Sequence, residues 1–147
     1  MCYNTYVIEL CDFLDVIDIM QKELIMRCLP TAFCHASTVL ALPDGSLLCC
    51  WFGGTHEGES DVGIYLSRRT EAGWSEPQLL VNGAAANWNP VLFAGADGRI
   101  LLFYKQGQQI ADWQTRLLQS TDNGETWSGP QELVPGDVSG GRGPVRN

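Results

Sequence analysis

An all-β fold built from repeated four-stranded antiparallel sheets is predicted by three features of this 147-residue sequence. A block of about fifty residues occurs twice in one register. Each copy carries the turn chemistry of β-hairpins. A content of 16 Gly with 5 Trp marks a turn-rich, aromatic-rich chain rather than a helical bundle.

The repeat is defined by four landmarks at one offset. Trp74-Ser75-Glu76-Pro77 reappears as Trp127-Ser128-Gly129-Pro130, 53 residues on. Asp44-Gly45 returns as Asp97-Gly98, Ser67 as Ser120, and Leu47-Leu48 as Ile100-Leu101, all at the same spacing. In the first copy Ser37 to Leu42 reads as a short apolar strand. Pro43-Asp44-Gly45-Ser46 follows as a turn in which Pro sets φ and Gly takes the positive-φ position. Leu47 to Phe52 is apolar throughout and stops at Gly53-Gly54. Val62 to Ser67 alternates Val62, Ile64 and Leu66, as a strand does. Trp74 to Val81 reads as a fourth, outer strand. The second copy repeats the plan over Asn89 to Phe93, Ile100 to Lys105, Thr115 to Ser120 and Trp127 to Val134.

Four antiparallel strands per repeat of this length is the pattern of a β-propeller blade. Blade one spans about 35–81, blade two about 88–134, and 141–147 begins a third. Two blades leave unpaired strand edges, and repeat folds need three or more units. The expectation is therefore the N-terminal portion of a longer ring, through a truncated reading frame or, as an alternative, a ring completed by self-association. Residues 1–19 stand outside the repeat as an extension. Ile8, Leu10, Leu14 and Ile17 allow a helix-like spacing there, and a small edge-capping helix is the plain alternative. Met20 reads as a second start, and Lys22 to Cys28 as a strand able to pair with the last blade.

Composition limits the partners. Nine Lys and Arg against 17 Asp and Glu give a net charge of −8, which opposes a phosphate backbone and excludes nucleic acid as a partner. No stretch reaches the roughly 18 apolar residues of a membrane span. Residues 1–20 lack a basic n-region and are interrupted by Glu9, Asp12, Asp15 and Asp18, so no signal peptide is read and a cytoplasmic location is expected. Of six Cys, none forms a Cys-x-x-Cys pair, so zinc has no support. Cys49 and Cys50 are adjacent in an apolar strand and must point to opposite faces, which suits reduced, buried thiols. No acidic cluster has calcium-loop spacing, and no cofactor is expected.

Ser120-Thr121-Asp122-Asn123-Gly124-Glu125-Thr126-Trp127 fits the pattern Ser-x-Asp-x-Gly-x-Thr-Trp. Its physics is a tight hairpin: the Asp carboxylate accepts backbone N–H groups, Gly takes the left-handed turn position, and Trp packs beneath. Ser67 to Trp74 is a degenerate copy with Arg69 in place of the Asp. The motif resembles the Asp-box of the bacterial neuraminidase repeat. Over about residues 20–147 the chain is similar to the sialidase-like propeller superfamily, in particular its exo-α-sialidase subgroup. The supporting segments are Cys34 to Val39, Leu42 to Gly45, Trp51 to Gly58 with Asp61-Val62, Trp88 to Phe93, and Phe103-Tyr104-Lys105. The resemblance implies a six-bladed ring, an exo-glycosidase acting on terminal sugars such as sialic acid, and a carbohydrate site at the ring's central face, away from the Asp-boxes.

Several residues have suitable chemistry. His35 and His56, the only histidines, sit at the start of the first strand and just after the second, and suit proton transfer near neutral pH. Tyr104-Lys105 occupies the register of Trp51-Phe52, and a tyrosine can act as nucleophile or acid where a cation lowers its pKa. Arg116 suits a sugar carboxylate through a bidentate pair, with Arg142 and Arg146 as weaker candidates. Glu57, Glu59 and Asp61 cluster after the Gly-Gly turn, and Asp61 loosely resembles the family's acid. Trp88 and Trp113 can stack on a sugar face, and Asn89, expected to be extended before Pro90, can bind a hydroxyl. The candidate catalytic set is thus His35, His56, Tyr104 and Asp61, and the candidate substrate-binding set is Arg116, Lys105, Asn89 and Trp113. For each, a packing or solvated role is the plain alternative. The resemblance also has a gap: where a sialidase carries Arg-Ile-Pro, this chain reads His35-Ala36-Ser37. Two other readings therefore stay open. One is a polysaccharide lyase or rhamnosidase-type enzyme with His/Tyr proton transfer, and the other an inactive carbohydrate-binding propeller remnant.

Overall fold

The structure, a computed structural model, describes residues 22–26, 28 and 30–144. The expected extension at 1–19 lies outside the described residues. Two antiparallel sheets make up the fold. The first contains β1 (Phe33–Ala41), β2 (Leu47–Gly54), β3 (Gly63–Thr70), β4 (Gly73–Trp74) and β5 (Gln78–Val81). The second contains β6 (Asn87–Ala94), β7 (Ile100–Gln106), β8 (Gln114–Ser120) and β9 (Gln131–Glu132). Strands pair in chain order, with β4 and β5 both on β3. A 3-10 turn at Ile110–Asp112 is the one helical element among the described residues.

The first turn of each sheet is the same device. Gly45 and Gly98 both adopt φ +82°. Asp44 Oδ1 accepts the Ser46 N–H at 2.9 Å, and Asp97 Oδ1 accepts the Arg99 N–H at 3.1 Å. Each Asp carboxyl is held below its ordinary range, chiefly by the side chain of the residue two positions on, Ser46 or Arg99.

The core lies between the sheets. Even-numbered residues of β2 (Leu48, Cys50, Phe52) meet Ile64 and Leu66 of β3 on one face, and pack against Leu92, Ile100, Leu102, Tyr104 and Leu118 of the second sheet. Odd-numbered Cys49 and Trp51 face the other way, onto Ile25, Cys34 and partly buried Met26, Tyr65 and Trp74. All eight residues of β2 are therefore buried, as expected for a strand covered on both faces. Burial pushes the Cys50 thiol up. Because the repeat offset is odd, the β7 residues in register with Leu48, Cys50 and Phe52 are Leu101, Phe103 and Lys105. They lie on the face of the second sheet that points away from the first, where Leu101 and Phe103 are half-buried.

The Asp-box hairpin closes β8. Ser120 Oγ donates to Asp122 Oδ1 at 2.7 Å and accepts the Gly124 N–H at 2.7 Å. The Asp122 carboxylate accepts the Thr126 N–H at 2.9 Å and hydroxyl at 2.5 Å. These donors, the Thr126 hydroxyl foremost, pull the Asp122 pKa down to about 2. Trp127 Nε1 donates to the Gly124 carbonyl at 3.1 Å. The hairpin also grips the first sheet: Arg68 donates to the Asn123 carbonyl, pairs with Glu125 at 3.3 Å, and donates to Ser46 Oγ at 3.0 Å. In the degenerate copy, Arg69 turns to Glu23, donating from Nε at 2.7 Å and from the guanidinium end at 2.6 Å, while Trp74 Nε1 donates to the same carboxylate at 3.1 Å. The arginine that stands in place of the hairpin Asp is thus neutralised by a carboxylate from the segment before the sheet. The Arg69 hydrogen bond holds the Glu23 carboxyl below its usual range.

Three local expectations are corrected. The outer strand expected over Trp74 to Val81 breaks into β4 and β5, because Ser75-Glu76-Pro77 intervenes and Pro77 has no N–H to give a ladder. Of Trp127 to Val134, only Gln131–Glu132 pairs, after Gly129-Pro130. Among the described residues of Lys22 to Cys28 no strand forms: only Leu24 makes an isolated bridge, and Glu23 is turned toward Arg69.

Two outcomes are expected from the hairpin. A Cβ on Gly124 (φ +83°) would sit 2.7 Å from Leu48 Cδ1, whereas one on Gly98 (φ +82°) meets nothing within 4 Å. Gly124→Ala should therefore cost roughly 2–5 kcal/mol in urea unfolding, combining left-handed strain with overpacking. Gly98→Ala should cost only about 1–2 kcal/mol, and equal losses would contradict the contact with Leu48. The second outcome concerns pH. Asp122 has a folded pKa of about 2 against an ordinary 3.8. Its stabilisation is present above the higher value and lost as pH falls through the lower one. Asp122→Asn should unfold at lower urea than the parent at pH 6, with the gap closing as pH falls from about 4 to about 2. A gap independent of pH would show that the carboxylate is not what holds the turn.

Candidate functional site

Sheet geometry separates two ends. The Asp-Gly turns and the Asp-box lie at one. At the other lie the starts of β1, β6 and β8, the ends of β2 and β7, and the loops 55–62 and 107–113. Both inner strands bulge at that second end. Pairing slips between His35 and Thr38 in β1, and between Trp88 and Val91 in β6. The pivots are Ala36 (φ +51°) and Asn89 (φ +46°), 53 residues apart and neither a glycine. The expectation that Asn89 is extended before Pro90 is thereby corrected: the bulge demands a left-handed residue, and Asn tolerates that region better than most. Each bulge re-aims the ring that precedes it, His35 in the first sheet and Trp88 in the second.

The rings make one continuous line. Phe33 lies 5.3 Å from His35, His35 5.8 Å from Phe52, Phe52 5.6 Å from Trp88, and Trp88 5.6 Å from Trp113 between centroids. Trp88 is fixed by its indole N–H, which donates to the Gly107 carbonyl at 2.8 Å. The 3-10 turn delivers Trp113, whose backbone N–H donates to Ile110 O at 3.3 Å. Gln108 Nε2 donates to the Gly58 carbonyl and ties the loop of one sheet to that of the other. Between these loops is an open cleft of about 340 Å³, lined by Glu57, Trp88, Asn89, Gln108, Gln109, Ile110 and Trp113. A larger cleft of about 860 Å³ lies elsewhere, between residues 22–26 with Cys28 and the hairpin at Trp74. Glu23, on its wall, is committed to Arg69 and Trp74.

The structure brings Asn89 and Trp113 to one cleft and places His35 on the aromatic line leading to it. His56 is exposed in the loop, with Glu57, its neighbour, on the cleft wall. Asp61 closes that loop, accepting the Thr55 N–H and hydroxyl, each at 3.1 Å. The remaining candidates sit in packing positions. Tyr104 is 1% exposed in the inter-sheet core, and burial drives its pKa up to about 12 against a smaller opposing pull from Arg116. Arg116 donates to Gln106 and Gln114 at 3.1 and 3.0 Å and pairs with Glu132 at 3.4 Å. Lys105 is buried, donating to Thr115 Oγ1 at 2.6 Å and to the carbonyls of Gly141 and Arg142 at 3.2 Å. Burial lowers its pKa, the Asp137 charge acting in opposition. Phe52, Gln108 and Ile110 were not singled out by the sequence. Phe52 reads as plain core, and Gln108 carries no local signature. Among the described residues, no three His, Cys, Asp or Glu side chains gather as metal ligands would. No helix there is long and apolar enough to cross a membrane.

Comparison with solved structures finds the same fold. A Hadza microbial sialidase, Hz136, matches with a TM-score of 0.59 at 16% identity, over 70% of this chain and 26% of its own. A protein of unknown function from Dyadobacter fermentans DSM 18053 matches with a TM-score of 0.55 at 21% identity, over 74% of this chain and 38% of its own. The chain thus spans between about a quarter and two-fifths of these two structures. No curated protein matches. The family model described as a BNR repeat-like domain matches residues 45–147, well over half of the sequence, and the chain belongs to that sialidase-like repeat family.

Proposed function

We propose that this chain contributes two consecutive blades to a sialidase-like β-propeller that acts on glycans as an exo-glycosidase, and that the Trp88–Trp113 cleft is a sugar-contacting wall of its binding face. The observation that carries the reading is the cleft itself: two indole rings beside a rim of side-chain amides, at the end where both inner strands bulge. A pyranose offers C–H groups to an aromatic face and hydroxyls to amides, and Asn89 and Gln108 both donate and accept. Non-glycine residues in strained backbone cluster at functional sites, and here the strain recurs at matching positions of the two repeats.

The propeller reading is supported by the outward face of the second sheet. The face of the second sheet in register with the buried face of the first carries half-buried Leu101 and Phe103, suited to receive a further sheet in the same way. Of the acids in loop 55–62, Glu57 lines the cleft and can accept sugar hydroxyls, while Asp61 is spent on the loop. A lyase reading would need Arg116 free to neutralise a uronate carboxylate, with His35 or Tyr104 as base. Tyr104 lies in the inter-sheet core and Arg116 is paired with Glu132, so the glycosidase reading is favoured.

Intrinsic tryptophan fluorescence of the chain, titrated with a panel of neutral and acidic oligosaccharides, tests the proposal. At least one glycan should shift the emission saturably. Trp113→Ala and Trp88→Ala should each weaken that glycan about tenfold, in keeping with about 1.4 kcal/mol for a lost stacking face. No saturable shift across the panel, or binding indifferent to both substitutions, would contradict the assignment of the cleft.

A further inference from the structure

We propose that Asn82-Gly83, on the connection between the two sheets, is a site of spontaneous deamidation, and that the fold protects the identical dipeptide at Asn123-Gly124. An asparagine is lost in this way when the backbone nitrogen that follows it attacks its own side-chain carbonyl carbon. Glycine in the following position favours the attack, because it has no Cβ to obstruct ring closure and its backbone turns freely. The sequence holds two Asn-Gly pairs, and Asp44-Gly45 and Asp97-Gly98 can close the same ring from an acid. What separates the four is where each glycine N–H is directed.

At three of them the N–H is spent on a turn. Gly45 donates to the Leu42 carbonyl at 3.0 Å, and Gly98 to the Gly95 carbonyl at 3.1 Å. Gly124 donates to Ser120 Oγ at 2.7 Å and is itself buried beside Leu48. The preceding Asn123 is fixed as well, because its carbonyl accepts Arg68. Attack at any of these three would first break a hydrogen bond that shapes the turn. Gly83 is different: its N–H donates to Asn82 Oδ1 itself, at 2.9 Å. The attacking and attacked groups are already in contact, and a rotation about the Asn82 side-chain bonds brings the carbonyl carbon to the nitrogen.

Exposure and backbone freedom act in the same direction. Asn82, Gly83 and Ala84 are all exposed and lie outside the strand ladders, between β5 and β6. The anchors stand further out, at buried Val81 and at Asn87, whose side-chain amide donates to the Val62 carbonyl at 2.8 Å. The exposed residues can therefore turn without unpairing either sheet, and water reaches them. Hydroxide removes the Gly83 amide proton, the nitrogen bonds to Asn82 Cγ, and the Cγ–Nδ2 bond breaks as ammonia departs with a proton from water. Water then opens the cyclic imide at one carbonyl or the other, leaving aspartate or isoaspartate and one further negative charge.

The test incubates the full folded chain in mildly alkaline buffer, samples it over time, and follows the amide-to-acid mass increment at each asparagine by peptide mass mapping. Asn82 should convert at least about tenfold faster than Asn123, whose attack must first open the Ser120–Gly124 hydrogen bond. In guanidinium sufficient to unfold the chain the two rates should converge, because the dipeptides are then equivalent. Gly83→Ala, whose Cβ would meet only the flexible Gln106 amide at 3.2 Å, should slow conversion at Asn82 in the folded chain and leave Asn123 unchanged. Asn123 converting as fast as Asn82 in the folded chain, or no conversion at Asn82, overturns the proposal. A preference for Asn82 of the same size in guanidinium also overturns it, by tracing the difference to sequence and not to the fold.

Discussion

The mutual burial of one face of β2 against the second sheet is the contact on which the rest of the molecule depends. Leu48, Cys50 and Phe52 meet Leu102, Tyr104 and Leu118 in one apolar layer. Each large side chain fully buried in such a layer contributes about 1.5–3 kcal/mol. The layer fixes more than stability. Phe52 closes it at the loop end, so the placement of one sheet on the other also sets Phe52 against Trp88 and brings the loop at Gly58 to the loop at Gln108. The cleft is therefore a product of sheet packing, and neither sheet owns it alone.

The opposite end has its own fastening. The Asp-box is built around a carboxylate saturated with local donors, yet its outer reach is directed at the first sheet, through Gly124 against Leu48 and Arg68 on the Asn123 carbonyl. Leu48 thus takes part in both the inter-sheet core and the hairpin contact. A rigid turn held by short-range hydrogen bonds becomes a spacer that fixes how closely the sheets approach. In the first sheet the same position carries Arg69, and Glu23 from outside the repeat neutralises it.

Much of this fold could be read from the sequence. The Asp-Gly turns, the Gly-Gly stop and the 53-residue spacing mark where strands begin and reverse, because turn chemistry is local. The outer strands were less legible: Pro77 and Pro130 interrupt them, and whether a strand resumes after a proline depends on its neighbour. The site was legible only in part. Trp113 and Asn89 stand out by residue type. The commitment of Lys105, Arg116 and Tyr104 to packing depends on which sheet face they occupy, and the odd offset inverts that face relative to the chain numbering between the two copies. The bulges at Ala36 and Asn89 have no glycine to announce them, so the strain that shapes the cleft was hidden.

The most direct measurement is proton–proton NOE spectroscopy of the intact chain, read at the two ends of the inter-sheet layer. Cross-peaks between the Phe52 and Trp88 rings at the loop end, and between the Leu48 δ-methyls and the Gly124 α-protons at the hairpin end, are expected together. Strand NOEs within each sheet with neither set of cross-peaks between them would mean that the sheets fold without packing on one another, and that the cleft does not exist as drawn.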